Sequence, residues 1–157
     1  MSIQTNYDLY LNNIEELIEI LELNFQYIDN LKVDKENSIF SISSNDAVTF
    51  SYSKISKMSS LFKEEDYGVN VNYTLTFNHY ADLSINCPDS IIKFVCQLMN
   101  CCNTDCLLMH NGNDPLIIRK NKEIELADNE LFNYSFGASS KKLVISLLNN
   151  INGSVIN

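Results

Sequence analysis

Thr104–Leu126, TDCLLMHNGNDPLIIRKNKEIEL, decides how the second half of this 157-residue chain folds. Cys106-Leu107-Leu108-Met109 is a short apolar run. Asn111-Gly112 follows, a turn dipeptide in which both residues tolerate positive φ. Leu116-Ile117-Ile118 is a second apolar run, and Arg119-Lys120-Asn121-Lys122 reads as a polar turn. Glu123-Ile124-Glu125-Leu126 then alternates with period two. The stretch predicts three short strands joined by two tight turns. A helix precedes it. Pro88 is tolerated in a first helical turn, and Asp89 and Ser90 suit that turn or its cap. Ile91, Ile92, Val95, Leu98, Met99 and Cys102 recur at helical spacing and form one apolar stripe.

Further upstream, Val69–Tyr80 alternates cleanly. Val69, Val71, Tyr73, Leu75 and Phe77 share one face; Asn70, Asn72, Thr74, Thr76 and Asn78 share the other. This predicts a strand with one buried and one solvated face. Residues 3–11 alternate in part and predict another strand. Asn12 then reads as a helix N-cap with Glu15 three residues on. Ile14, Leu17, Ile18, Leu21 and Phe25 give the buried stripe of that helix, which runs to about Leu23. Glu15, Glu19 and Glu22 share a different face. Like charges at i, i+4 cost a few tenths of a kcal/mol, whereas each buried apolar side chain contributes roughly 1.5–3 kcal/mol. The carboxylates therefore face solvent.

Tyr27–Val33, Ser38–Ser43 and Ala47–Tyr52 are strand-like. Lys54–Tyr67 is less regular, and Phe62–Gly68 reads as an acidic loop. The tail reads either as a helix over Ser139–Ile151 or as a strand over Leu143–Leu148. The order is strand, helix, three strands, then the same again, then a tail. This predicts one α+β domain over 1–157, with a mostly antiparallel sheet and two main helices on one face. The pseudo-repeat spans 1–66 and 67–130, and the tail 131–157.

Eleven basic residues stand against 20 acidic ones, a net charge of −9. Nucleic-acid binders need clustered Lys and Arg, so direct binding to nucleic acid is not expected. Residues 1–66 carry 12 acidic and 5 basic side chains, net −7; residues 67–157 carry 8 and 6, net −2. An acidic first half fits either ordinary solubility or a basic protein partner. No apolar run approaches the ~20 residues of a membrane span. MSIQTNYDLY has neither a basic nor an apolar signal region, so a cytoplasmic protein is expected.

No catalytic constellation is expected. The five cysteines, Cys87, Cys96, Cys101, Cys102 and Cys106, are odd in number and lack the paired spacing of zinc ligands. Cys102 and Cys106 read as core fillers. His79 and His110 flank the cluster and leave a Cys–His enzyme or a metal site as the alternative to a binding protein, with an adaptor subunit a third. The four glycines lie far apart, so no phosphate loop forms, and no cofactor is expected.

The run from Tyr67 to Leu126 resembles the Sit-type immunity proteins of bacterial contact-dependent toxin systems. The resemblance is carried by Tyr67-Gly68-Val69 leading into the alternating strand, by the helix Ser90–Cys101, by Asp105 before the apolar strand and its Asn-Gly turn, and by Leu116–Lys120. It covers about 60 of 157 residues. Asn121-Lys122 occupies a turn where family members tend to have glycine. The resemblance implies a protein that binds and neutralises a cognate toxin domain by direct contact. Many such toxins act on nucleic acid and are basic. The acidic surface then makes Glu64, Glu65, Asp66 and Tyr67 the expected contact residues, with the Glu15/Glu19/Glu22 face second. Toxin identity, delivery and oligomeric state are not readable from the sequence.

Overall fold

A computed structural model describes residues 2–24, 31–34, 39–43, 47–80, 87–148 and 155–156. Phe25, Tyr27 and Asp82 lie outside the described residues, as do the side chains of His79, Tyr80 and Cys87.

The fold is α+β, as the sequence pattern implies. The first strand, β1, spans Ser2–Leu9 and is followed by helix α1, Ile14–Asn24. A meander follows: β2 (Leu31–Asp34), β3 (Ile39–Ser43) and β4 (Ala47–Lys54). Helix α2 covers Lys57–Tyr67. Then come β5 (Tyr73–Tyr80), helix α3 (Cys87–Cys101) and a second meander, β6 (Cys106–His110), β7 (Asp114–Lys120) and β8 (Glu123–Leu126). The chain closes with α4 (Asn129–Phe136), α5 (Ser140–Leu148) and β9 (Val155–Ile156). The tail thus contains the helix of the two readings, over Ser140–Leu148.

The strands form one sheet in the order β2-β3-β4-β5-β1-β6-β7-β8-β9. All pairs are antiparallel except β8–β9. β1 and β2 lie an even number of antiparallel steps apart and so run parallel; β5 and β6 do too. Parallel strands need a crossover connection, and α1 and α3 supply these two. α4 and α5 supply the third, from β8 to the parallel β9. The first strand of each half is exchanged: β5 separates β1 from the first meander, and β1 separates β5 from the second. Each half therefore completes its sheet only with the other.

Most of the core lies on one face. Tyr7, Leu9, Leu75, Phe77, Cys106, Leu108 and Ile117 meet Leu17, Ile18 and Leu21 of α1, the α3 stripe, and Phe132, Phe136, Val144 and Leu148. Phe50, Phe77 and Phe94 pack ring against ring at 5.0–5.7 Å between centroids. All six expected stripe residues of α3 are buried, and so are Phe94 and Cys96.

Three expectations are corrected in detail. The cap of α1 sits one residue later than expected: Asn13 Oδ1 accepts from Glu16 N at 3.0 Å, and Glu16 Oε2 from Asn12 N at 2.8 Å. The segment Lys54–Tyr67 is largely regular, because β4 reaches Lys54 and α2 occupies Lys57–Tyr67, so Phe62–Tyr67 is helix rather than loop. The alternating run starts pairing only at Tyr73. Val69 and Val71 pack in a separate cluster with Leu107 and Met109, against Ile55, Tyr67 and Ile118. Leu107 and Met109 alternate with Cys106 and Leu108 along β6, so this cluster lies on the opposite face of the sheet. The face that carries Thr74 and Thr76 is consequently half-covered by α2 and residues 68–72.

Candidate functional site

Helix α2 is the element that the sequence pattern hid. Ser56 begins it with extended backbone, and its Oγ accepts from Ser59 N at 3.2 Å. Gly68 ends it in the left-handed region, φ 71°, with its N–H donating to Glu64 O at 2.9 Å. A Cβ added at Gly68 would lie 2.6 Å from Lys120 Nζ, so the ammonium of β7 rests over the carbonyl end of α2. A cation there is favourable because the helix dipole is negative at that end.

The inward side of α2 is polar. Ser60 Oγ donates to Val71 O at 2.7 Å, Lys63 Nζ is ion-paired with Asp8 Oδ2, and Tyr67 packs into the small cluster. Asp8 is 0% exposed and projects from the face of β1 opposite Tyr7 and Leu9. Thr74 is its cross-strand neighbour on β5, and Asn6 stands two residues away opposite Thr76. Asp8 Oδ1, Asn6 Oδ1 and Thr74 Oγ1 are buried without a protein partner. A row of polar atoms thus underlies α2, with Lys63 as its counter-ion.

The outward side is apolar. Met58, Leu61 and Phe62 are 68%, 58% and 56% exposed. They fall at i, i+3, i+4, and Glu65 continues the same stripe at i+7. Glu64, Glu65 and Asp66 are all exposed. α2 is an amphipathic helix turned inside out, with none of its residues buried.

The expected contact residues divide. Glu64, Glu65, Asp66 and Tyr67 form the last turns of α2, with Tyr67 half-buried. Glu15, Glu19 and Glu22 are exposed on α1, which packs on the other face of the sheet. The two acidic groups are not brought together. Beside Tyr67 a cleft of about 270 Å³ runs between Ile118, Lys120, Asn121, Glu123 and Glu125. Asp105 borders this region as a staple. Its Oδ2 accepts from Asn70 N at 3.0 Å and its Oδ1 from Asn121 N at 3.2 Å. Asn121 and Lys122 both adopt positive φ, 51° and 70°, so the glycine-free turn still has the backbone of a tight hairpin.

Arg119 is a further correction. It belongs to β7 rather than to a polar turn, and it is 1% exposed. Its guanidinium donates to Thr104 O and Met99 O, each at 2.8 Å, and to Cys102 O. Two of these carbonyls are at the C-terminal end of α3, where a cation is favoured. The signal was available: Ile117 and Arg119 are two apart and share a strand face.

Burial disfavours the thiolate form of the described cysteines. Burial pushes Cys96 up to about 12 and Cys102 up to about 11, with Glu16 adding to the latter, and burial also raises Cys101 and Cys106. His110, at the end of β6, is buried, edge-on to Tyr134 and Phe136 of α4, with Nδ1 unpartnered. Burial lowers its pKa, and Asp114 opposes this in part. Among the described residues no group of three or more His, Cys, Asp or Glu is placed to hold a metal, and no helix is long and apolar enough to cross a membrane. No family model, curated protein or solved structure matches the chain.

Proposed function

We propose that this chain is an immunity-type binding protein that neutralises a basic toxin domain, of nuclease or similar class, by direct contact. The observation that carries the reading is the exposed acidic end of α2. Three carboxylates, Glu64, Glu65 and Asp66, crowd the C-terminal end of a helix, where the dipole disfavours them by about 0.3–1 kcal/mol each. One cation, Lys120, stands at this end against the three, and exposed carboxylates so placed support a role in contact. The net charge of −9 supports it as well, because an acidic surface speeds encounter with a basic partner to roughly 10⁸ M⁻¹s⁻¹ or more at low salt. The resemblance of Tyr67–Leu126 to Sit-type immunity proteins supplies the role. Among the described side chains, the raised thiol pKa values and the buried His110 favour binding over Cys–His chemistry.

A large secreted protein with a variable C-terminal domain, encoded immediately upstream, is the expected genomic neighbour. That C-terminal domain should arrest growth when expressed alone and lose this effect when co-expressed with the chain in the same cytoplasm. Equal arrest with and without the chain contradicts the reading.

A further inference from the structure

We infer that the outward stripe of α2, Met58-Leu61-Phe62, is the anchor of the interface, and that it seats in an apolar cleft rimmed by Lys and Arg on a basic protein partner. The inference rests on the binding reading above and specifies its surface and the chemistry of the partner.

The first ground is the inversion of the helix. A surface helix normally turns its apolar stripe to the core. Here the inward contacts are Ser60 to Val71 O, Lys63 to Asp8 and the half-buried Tyr67. Three large apolar side chains point to solvent instead, each more than half exposed. Their adjacency at i, i+3, i+4 makes one patch, whereas exposed Leu23 on α1 and exposed Tyr134 on α4 belong to other helices. Patches of this kind, rimmed by polar residues, mark contact sites.

The second ground is charge. Glu65 lies within the stripe, and Glu64 and Asp66 flank it on either side of the helix. Lys57 is exposed at the far, N-terminal end, Lys63 is held inward by Asp8, and Lys120 of β7 stands at the carbonyl end. Three carboxylates against the one Lys120 ammonium leave the end of the stripe that carries Phe62 negative. A second copy of this chain would bring net −9 against net −9 and is disfavoured. A basic face with an apolar cleft is complementary on both counts. Aromatic anchors at the centre of such contacts dominate binding energy, with charges at the rim setting the rate.

The test uses the full chain and the toxin domain of the co-expression experiment, with affinity measured by calorimetry or surface plasmon resonance. Leu61→Gln/Phe62→Gln should weaken binding by about 30-fold or more, the loss expected of a hot spot. Leu23→Gln, the same chemistry on α1, should change it by less than about threefold. Glu65→Gln/Asp66→Asn should slow association and flatten its salt dependence. Unchanged thermal melts will show that the variants fold. Wild-type affinity in Leu61→Gln/Phe62→Gln overturns this surface and leaves the binding reading standing. No binding by the wild-type chain overturns both. A wild-type homodimer that Leu61→Gln/Phe62→Gln converts to monomer, by light scattering, overturns the assignment of the partner.

Discussion

At the scale of single residues, two buried polar groups dominate. Arg119 joins β7 to the end of α3 and to the segment after it through three carbonyls. Hydrogen bonds from a charged donor contribute ~1.5–3 kcal/mol each, and truncation also leaves the buried carbonyls unpaired. Arg119→Met should lower stability by about 3–5 kcal/mol, read from urea midpoints, whereas an exposed control such as Lys122→Met should change it by less than about 0.5 kcal/mol. His110 adds a pH dependence. Its pKa is lower folded than unfolded, because burial penalises the imidazolium. The unfolded chain thus takes up the proton first, and stability falls as pH drops below about 6.5 toward the folded value. Unfolding at pH 7.5 and at 5.5 should show this loss, and His110→Gln should reduce it. Of these two residues the sequence made only part legible. Strand alternation places Arg119 beside Ile117, but its charge reads as surface, and its carbonyl partners lie at and just beyond the end of a helix, 15 to 20 residues earlier. His110 was visible as a strand-end histidine; its burial under Tyr134 and Phe136 depends on α4, a helix that propensity did not announce.

At the scale of elements, α2 is fixed to the sheet by polar contacts. Lys63 pairs with a carboxylate that is wholly buried. Removing the lysine leaves Asp8 charged and unpaired, a change that costs about 3–5 kcal/mol. Lys63→Met should therefore destabilise the protein strongly, and Asp8→Asn introduced with it should restore much of the loss. A double-mutant cycle from urea unfolding checks this; additive effects would mean that the pair does not couple. Helices α1 and α3 were readable because their burial follows the 3.6 period of Leu17, Ile18, Leu21 and the α3 stripe, and the second meander because Asn111-Gly112 marks its turn. α2 was not readable for a physical reason. A helix pattern is recognised by a repeating apolar stripe, and that of α2 stops after Met58, Leu61 and Phe62, with Glu65 at the next position. Its stripe faces outward, and its inward residues, Ser60 and Lys63, read as solvent-facing. Val69 and Val71 misled in the same way. Their alternation continues that of Tyr73–Phe77, yet they pack on the opposite face, because the chain crosses from α2 to β5 there.

At the scale of the whole molecule, the sheet divides the acidity. The large core and α1 lie on one side, and α2 with the small cluster of Val69, Val71, Leu107 and Met109 on the other. A partner that engages α2 thus leaves Glu15, Glu19 and Glu22 in solvent. The hairpin stretch Thr104–Leu126 is scaffold in this arrangement. Asp105 ties the approach to β5 to the β7–β8 turn, and Lys120 rests on the end of α2, so the stretch that decides the fold also holds α2 in place. Hydrogen exchange of the chain, free and bound to the toxin domain, tests this division most directly. Amides of 57–67 should slow on binding while those of 14–24 keep their free rates. Slowing across 14–24 with 57–67 unchanged would contradict the account.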